Sequence, residues 1–345
     1  MNYLLKLSGK YITEKYKYII FIILLVCLIT VCIPRFDRAD YGPVKHFAGN
    51  EELYEGLPFD IMIYRNYIEY FRNGTGEDKI TAPYSYRVLV PFLASLMPFE
   101  PLTSLNLVNL IFLISGLLFL YLIMCETYTG FQFRIAGCLM FIFSFPVFYY
   151  TTSGYIDGTV IGLMLALIYF IISRKRIPAV ITLITGVLAS EKIIIILPFL
   201  IAFIYSKEYK TTGSYVFVFL FLLIYSLTVF LLRKYAPGVP QSYVWLPDER
   251  FFSQNIFRVK AYLSFVLTFG IPGLIALFSY FKFPPDKRKK YLCFYTGCIT
   301  SLLLYAYSFF SAWADGRTVW TIYPFAVPVS ALYLEYLYKQ KTGIA

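Results

Sequence analysis

Charge is scarce in this chain: 15% of its 345 residues are Asp, Glu, Lys or Arg, against 59% hydrophobic. A soluble domain carries roughly 25% charged and about 45–50% apolar residues. A water-exposed fold of this composition would leave apolar patches too large to stay dissolved. Histidine is represented by His46 alone, which leaves little material for a His-based metal site or a Ser-His-Asp triad. The six cysteines, Cys27, Cys32, Cys125, Cys138, Cys293 and Cys298, lie in or beside apolar runs. None has metal-ligand spacing, and no pair falls in an external loop where a disulfide would form. Tryptophan is rare, at three residues, so the 20% aromatic content is almost all Tyr and Phe. Such rings suit interfacial belts first and sugar-stacking surfaces second.

What is abundant is uninterrupted apolar sequence. Runs long enough to cross a bilayer, about 20 residues with some latitude, fall near 18–33, 102–124, 135–150, 156–173, 177–190, 193–206, 214–232, 261–281, 291–310 and 319–338. The expectation is an all-α integral membrane protein of about ten transmembrane helices, one multi-span domain over residues 1–345, with both termini cytoplasmic. The net charge of +11 suggests nucleic acid until its distribution is read. On that topology the cytoplasmic side takes 17 of the 31 bases and 5 of the 20 acids. That is the positive-inside rule, and it excludes a nucleic-acid partner in favour of the lipid bilayer. Lysines precede the first run as in a signal sequence, but no small-x-small cleavage site follows, so it reads as a retained anchor.

The external loops are longer and chemically richer. The first, residues 34–101, is expected to hold interfacial helices. From Asp60 to Gly74, Ile61, Tyr64, Tyr67, Ile68 and Phe71 recur on one face, the pattern of an amphipathic helix lying in the headgroup plane. Asp60 stands where an N-cap would, which is its ordinary structural reading. Residues 83–94, which include Tyr86, read as a second interfacial or re-entrant helix with Arg87 at its polar end, ordinarily a snorkelling anchor. Asp157 marks the outer mouth of the fourth span. Glu191 and Lys192 interrupt an otherwise apolar run as a charged turn, with Lys192 at the depth of a lipid phosphate. Asp315 and Arg317 flank Gly316 before the last span, and by the bland reading they pair with each other. Charges at the membrane edge are costly and tend to be paired or functional, so the site is expected on the outer face.

Asp60 with Tyr64, the YSYRVLVPFLA run (84–94), Asp157, the SEKIIIILPFL run (190–200) and the segment from Arg317 to Tyr323-Pro324 follow one another in this order. Together they resemble bacterial membrane glycosyltransferases of the GT-C superfamily. The resemblance implies a hexosyltransferase-like enzyme of the bacterial cytoplasmic membrane, serving the cell envelope. It would move a sugar from a polyprenyl-phosphate donor to a glycan, lipid or protein acceptor on the extracytoplasmic face. A first-loop acid would be the general base. Members often carry paired acids close to the first span, whereas here Asp37 and Asp40 stand three apart. The base is therefore open among Asp60, Asp40 and, third, Asp37. The missing adjacent pair also weakens the case for an obligatory divalent metal, and no cofactor is expected.

The residue types fit independently. Glycosyl transfer to a hydroxyl needs a carboxylate to take the proton and cations to meet the charge developing on the leaving phosphate. Tyr64, Tyr86, Arg87, Asp157, Glu191, Lys192, Asp315 and Arg317 are the expected substrate-binding set. A glycan polymerase or ligase shares these features, and a secondary transporter is the third reading. Transport would call for an internal repeat and midspan binding groups, neither of which the sequence shows.

Overall fold

A computed structural model of the chain describes residues 2–36, 59–206, 211–238, 247–312 and 314–343. Asp37, Asp40 and His46 lie outside the described residues. Among those described there is no strand, and sixteen α-helices follow one another. They begin with α1 (Asn2–Cys32), α2 (Phe59–Asn73), α3 (Leu89–Ser95), α4 (Pro101–Glu126), α5 (Phe131–Ile142), α6 (Phe145–Tyr150), α7 (Asp157–Ile172) and α8 (Arg176–Ala189). After them come α9 (Ile196–Ser206), α10 (Thr212–Tyr235), α11 (Glu249–Ile256), α12 (Val259–Lys282), α13 (Pro285–Lys290), α14 (Leu292–Ser311), α15 (Gly316–Val319) and α16 (Tyr323–Thr342).

Five stretches are long and apolar enough to cross a membrane: Tyr18–Arg35, α4, α10, α12 and α14. Their exposed faces are greasy, with Ile22, Ile23 and Val26 on α1, Phe219, Leu223 and Phe230 on α10, and Val266, Ile271 and Phe278 on α12. In water such faces would aggregate; in hydrocarbon they are the required surface.

Of the other predicted spans, 156–173 and 177–190 are present as the continuous but shorter helices α7 and α8, and the remaining three are interrupted. The 135–150 run is broken into α5 and α6 at Ser144, whose backbone is extended, with Pro146 at the start of α6. The 193–206 run begins as a 3-10 turn, Glu191–Ile195, before the 11-residue α9. The last run is divided among α15, a 3-10 turn and α16. Burial also differs among the shorter segments: α5–α6 and α9 keep exposed apolar side chains such as Phe143, Phe148 and Ile201. α7 is buried at every residue from Asp157 to Ile168, the signature of a helix that is hydrophobic all round.

α7 lies against α4, α8, α9 and α16. Close approach to α4 depends on small residues, as membrane helix pairs commonly do. A Cβ on Gly162 would stand 2.2 Å from the Phe112 carbonyl oxygen, and one on Gly116 2.9 Å from the Gly162 Cα. α12 is kinked between Gly270 and Pro272, where proline removes a helical donor, and Ser330 Oγ on α16 donates to the Pro272 carbonyl at 2.8 Å.

The amphipathic helix of the first loop is present as α2, but its apolar face is not laid in a headgroup layer. Ile61, Tyr64, Tyr67 and Ile68 are all buried, packed on α3, on α4 and on the turn at Ile156. Arg72 fastens the far end, its Nη2 donating to the carbonyls of Met97 and Phe99 at 2.8 Å each. It also donates to the Ala94 and Ser95 carbonyls at 3.3 and 3.4 Å, which close α3 and have no partner within that helix. Residues 59–100 thus form a folded cap on one end of the bundle.

Candidate functional site

That end gathers charged residues that are far apart in sequence. Asp60 sits in the first turn of α2, one residue inside it, so capping is not its task. Its Oδ1 accepts from the Tyr84 hydroxyl at 2.6 Å, and its Oδ2 accepts from Arg317 Nη1 at 2.9 Å. The expected N-cap is corrected to a carboxylate directed away from its own helix.

Arg317 is the hub. Its Nη1 is 3.9 Å from Asp157 Oδ2, its Nε is 3.7 Å from Asp315 Oδ2, and its guanidinium lies 3.9 Å over the Tyr155 ring. Pairing with Asp315 alone, the bland expectation, is therefore overturned. Asp315 does have a local duty: it caps α15 through the Arg317 amide at 3.0 Å, and it accepts from the Tyr150 hydroxyl at 3.0 Å. Lys192 Nζ meets Asp157 Oδ1 at 3.1 Å. A chain of contacts thus runs Tyr84–Asp60–Arg317–Asp157–Lys192, drawn from five segments.

The remaining expected residues form an outer ring. Arg87 does not snorkel. It is buried, and its Nη1 donates to the Tyr64 hydroxyl at 2.7 Å while its guanidinium stands 5.2 Å from the Tyr84 ring centre. Glu191 pairs with Arg233 of α10 at 3.6 Å, and its carbonyl accepts from the Tyr225 hydroxyl at 3.1 Å. Tyr86 offers its ring to Arg233 at 5.9 Å. Glu191 and Lys192, adjacent in sequence, therefore have different partners. Asp40 lies outside the described residues.

Several residues that hold the site in place are absent from the sequence-based expectations. Asn109 Oδ1 accepts from the Thr159 amide at 3.1 Å and hydroxyl at 2.9 Å, while its Nδ2 donates to the Tyr155 carbonyl. Asn106 accepts from the Gly154 amide at 2.9 Å. These two fix the turn that aims Asp157. Gly154 has φ +88°, and a Cβ there would strike Ile61 at 2.7 Å, so α2 docks directly on that turn. Asn255, fully buried, donates to the Ala312 carbonyl at 2.7 Å and accepts from the Ala314 amide at 3.0 Å. Ser264 Oγ then accepts from the Gly316 amide at 3.0 Å, which sets Asp315 and Arg317 in position. One signal was available: Asn106 and Asn109 are amides inside an otherwise apolar run, where polar groups need partners. Tyr84 gave none, standing 24 residues from Asp60.

The side chains of Asp60, Asp157, Lys192 and Arg317 are 10–22% exposed, dry enough to strengthen their electrostatics yet open on one side. Burial pushes the Asp60 carboxyl up, but Arg317, the Tyr84 hydroxyl and Arg87 outweigh it and hold it below the usual carboxylate range. Asp315 is likewise held low against its burial, chiefly by Arg317 and Lys260. Burial pulls the Lys192 ammonium down, with Asp157 opposing and Arg87 and Arg317 adding to the fall. The Tyr64 hydroxyl is pushed up to about 12 by burial and stays protonated. Three carboxylates, Asp60, Asp157 and Asp315, thus face three cations, Arg87, Lys192 and Arg317. Arg317 Nε and Arg87 Nε are buried donors without a hydrogen-bond partner. Among the described residues, no three His, Cys, Asp or Glu side chains are grouped to hold a metal ion.

No protein-family model matches the chain, and neither a curated protein nor a solved structure does.

The cluster makes stability depend on pH with a definite sign. With Asp60 held low, its contribution is present above the ordinary carboxylate range of about 4 and is lost as pH falls through the depressed value. Arg317→Gln removes the largest of the groups that oppose burial, so the carboxyl rises from its depressed value. The stability that the ionised Asp60 contributes above about pH 4 is then reduced or lost in the variant. Thermal unfolding in detergent should show a deficit relative to wild type that is largest at neutral pH and shrinks toward acid. A deficit of equal size at every pH would refute an ionic Asp60–Arg317 pair.

Proposed function

We propose that the chain is a membrane glycosyltransferase of the GT-C type, transferring a sugar from a polyprenyl-phosphate donor to an acceptor hydroxyl. The observation that carries this reading is the convergence of Asp60, Arg317, Asp157 and Lys192 at one end of an apolar bundle. A proton-accepting carboxylate beside two cations is what the reaction needs where a lipid phosphate enters from the bilayer surface.

The acceptor oxygen attacks the anomeric carbon as the carbon–oxygen bond to the donor phosphate breaks. The acceptor proton passes to Asp60, and the bonding electrons leave with the polyprenyl phosphate, whose charge is met by Arg317 and Lys192. Before substrate arrives, Asp60 is a poor base because Arg317 and Tyr84 hold its pKa down. A donor phosphate competes with the carboxylates for Arg317, and each contact it gains there weakens the hold on Asp60. Donor binding thereby raises the basicity of the group that must next take a proton. The outer ring of Tyr86, Arg233 and Glu191 stands where the acceptor would be oriented.

Charged groups collected at helix ends favour this reading over a transporter, whose binding groups lie near the midplane. We read ten crossings, with the shorter α5–α6, α7, α8, α9 and α15–α16 segments completing the five long helices. Both termini are then cytoplasmic, and the cluster faces outward across a bacterial cytoplasmic membrane.

Turnover can be followed without knowing the acceptor, as release of polyprenyl phosphate from a panel of polyprenyl-phosphate sugars in nanodiscs supplied with envelope glycans and lipids. Asp60→Asn should lower kcat by about 100-fold or more, the usual worth of a general base, with the donor still bound. Lys192→Ala should raise donor KM, with Lys192→Arg restoring part of it. Full activity of Asp60→Asn would remove Asp60 as base and transfer the assignment to Asp40. Topology is tested separately: single-cysteine labelling should find position 287 on the cytoplasmic side and position 248 outside. Both probes on one side would overturn the ten-crossing arrangement.

A further inference from the structure

The opposite end of the bundle holds a cavity that glycosyl transfer does not use. Asp157 opens α7 at the charged cluster, and Phe170 lies 13 residues on, about 20 Å along the helix axis. α10 runs the other way: its end carries Arg233, paired to Glu191, and its start at Thr212 stands beside the cavity. The cavity of about 160 Å³ lies between α7, α8, α9 and α10, several times the roughly 30 Å³ that one water occupies in the liquid.

Its lining is divided by chemistry. The floor is apolar, with Phe170, Leu200 and Phe203 among its side chains, while Arg174, Arg176, Thr211 and Ser214 contribute the polar wall. Arg176 meets no carboxylate among the described residues. Its guanidinium lies 5.9 Å from the Phe217 ring centre and reaches over the first turn of α10, 3.3 Å from where a Gly213 Cβ would be. Topogenic charge explains why three bases, Arg174, Lys175 and Arg176, occupy this turn. It does not explain a cavity that joins two guanidinium groups and two hydroxyls to an apolar floor.

We propose that this cavity binds an anionic membrane phospholipid from the leaflet on its own side. The phosphate is held by Arg174 and Arg176 with one donor from the Thr211–Ser214 hydroxyl pair, whose oxygens stand 3.0 Å apart and share a hydrogen bond, and the first methylenes of the acyl chains rest on the apolar floor. Arginine suits a phosphate because its planar fork donates two parallel hydrogen bonds. The apolar floor selects an amphiphile over a free anion, since a solvated phosphate gains nothing from Phe170, Leu200 and Phe203. The assignment is independent of whether the chain transfers sugars.

The test is lipid binding to the purified full chain by native mass spectrometry, titrating phosphatidylglycerol and phosphatidylcholine of identical acyl chains. Wild type should prefer phosphatidylglycerol. Arg174→Gln with Arg176→Gln should weaken that lipid about tenfold, the scale of lost hydrogen bonds to a charged group, and leave phosphatidylcholine unchanged. Lys289→Gln with Lys290→Gln removes the same charge from the same end of the bundle and should change neither. Ser214→Trp, which narrows the cavity and keeps every charge, should also displace the anionic lipid. Millimolar inorganic phosphate should not compete. Equal losses in the two charge-removing pairs would reduce the effect to general surface attraction and overturn the site. Competition by inorganic phosphate would reassign it to a free anion.

Discussion

A guanidinium set among three carboxylates at the edge of an apolar bundle is tolerable only while its partners are in place. Arg317 meets Asp60 at 2.9 Å and has Asp157 and Asp315 within 4 Å. Removing one member of such a group leaves an opposite charge half dry, which costs far more than the intact pair contributes. The pair also joins the first loop to the segment before the final helix. Much else at this end serves that meeting: Asn106 and Asn109 set the turn under α2, while Asn255 and Ser264 set the strand of chain that carries Arg317.

The same electrostatics gives the cluster its chemical character. In the transfer proposed above, this balance keeps Asp60 from acting as a base before substrate arrives. On that proposal a donor phosphate would draw on the cation that suppresses the carboxylate, coupling donor binding to proton acceptance without a moving lid. Lys192 has the same double use, neutralising Asp157 at rest and standing beside the shared hub.

The legible part of the sequence was the part written in cost. Charges at the mouths of apolar runs are expensive, so Asp60, Arg87, Asp157, Lys192, Asp315 and Arg317 stood out one by one, and the structure brings them to one end. Their pairing was not legible. Nothing local joins Asp60 to a residue 257 positions away, or Lys192 to Asp157. Tyr84 was hidden inside a quoted motif because a tyrosine at a membrane edge ordinarily belongs to the belt. Helix bounds were legible for α7 and α8, whose ends fall within a residue of the apolar runs, and were not legible where α5–α6, α9 and α15–α16 are interrupted. Hydropathy also cannot separate a helix greasy because lipid surrounds it from one, like α7, greasy because protein does. The apolar face of α2 was read correctly, but its partner turned out to be α3 and α4 and not the headgroup layer.

The central claim is that Asp60 and Arg317 act as one unit, and a double-mutant cycle tests it most directly. Unfolding free energies would be measured at neutral pH for wild type, Asp60→Asn, Arg317→Gln and the double variant. The account expects the two substitutions to be strongly non-additive, with a coupling of about 1 kcal/mol or more, as for residues sharing one charged network. Additivity within about 0.5 kcal/mol, the behaviour of distant and independent sites, would contradict it.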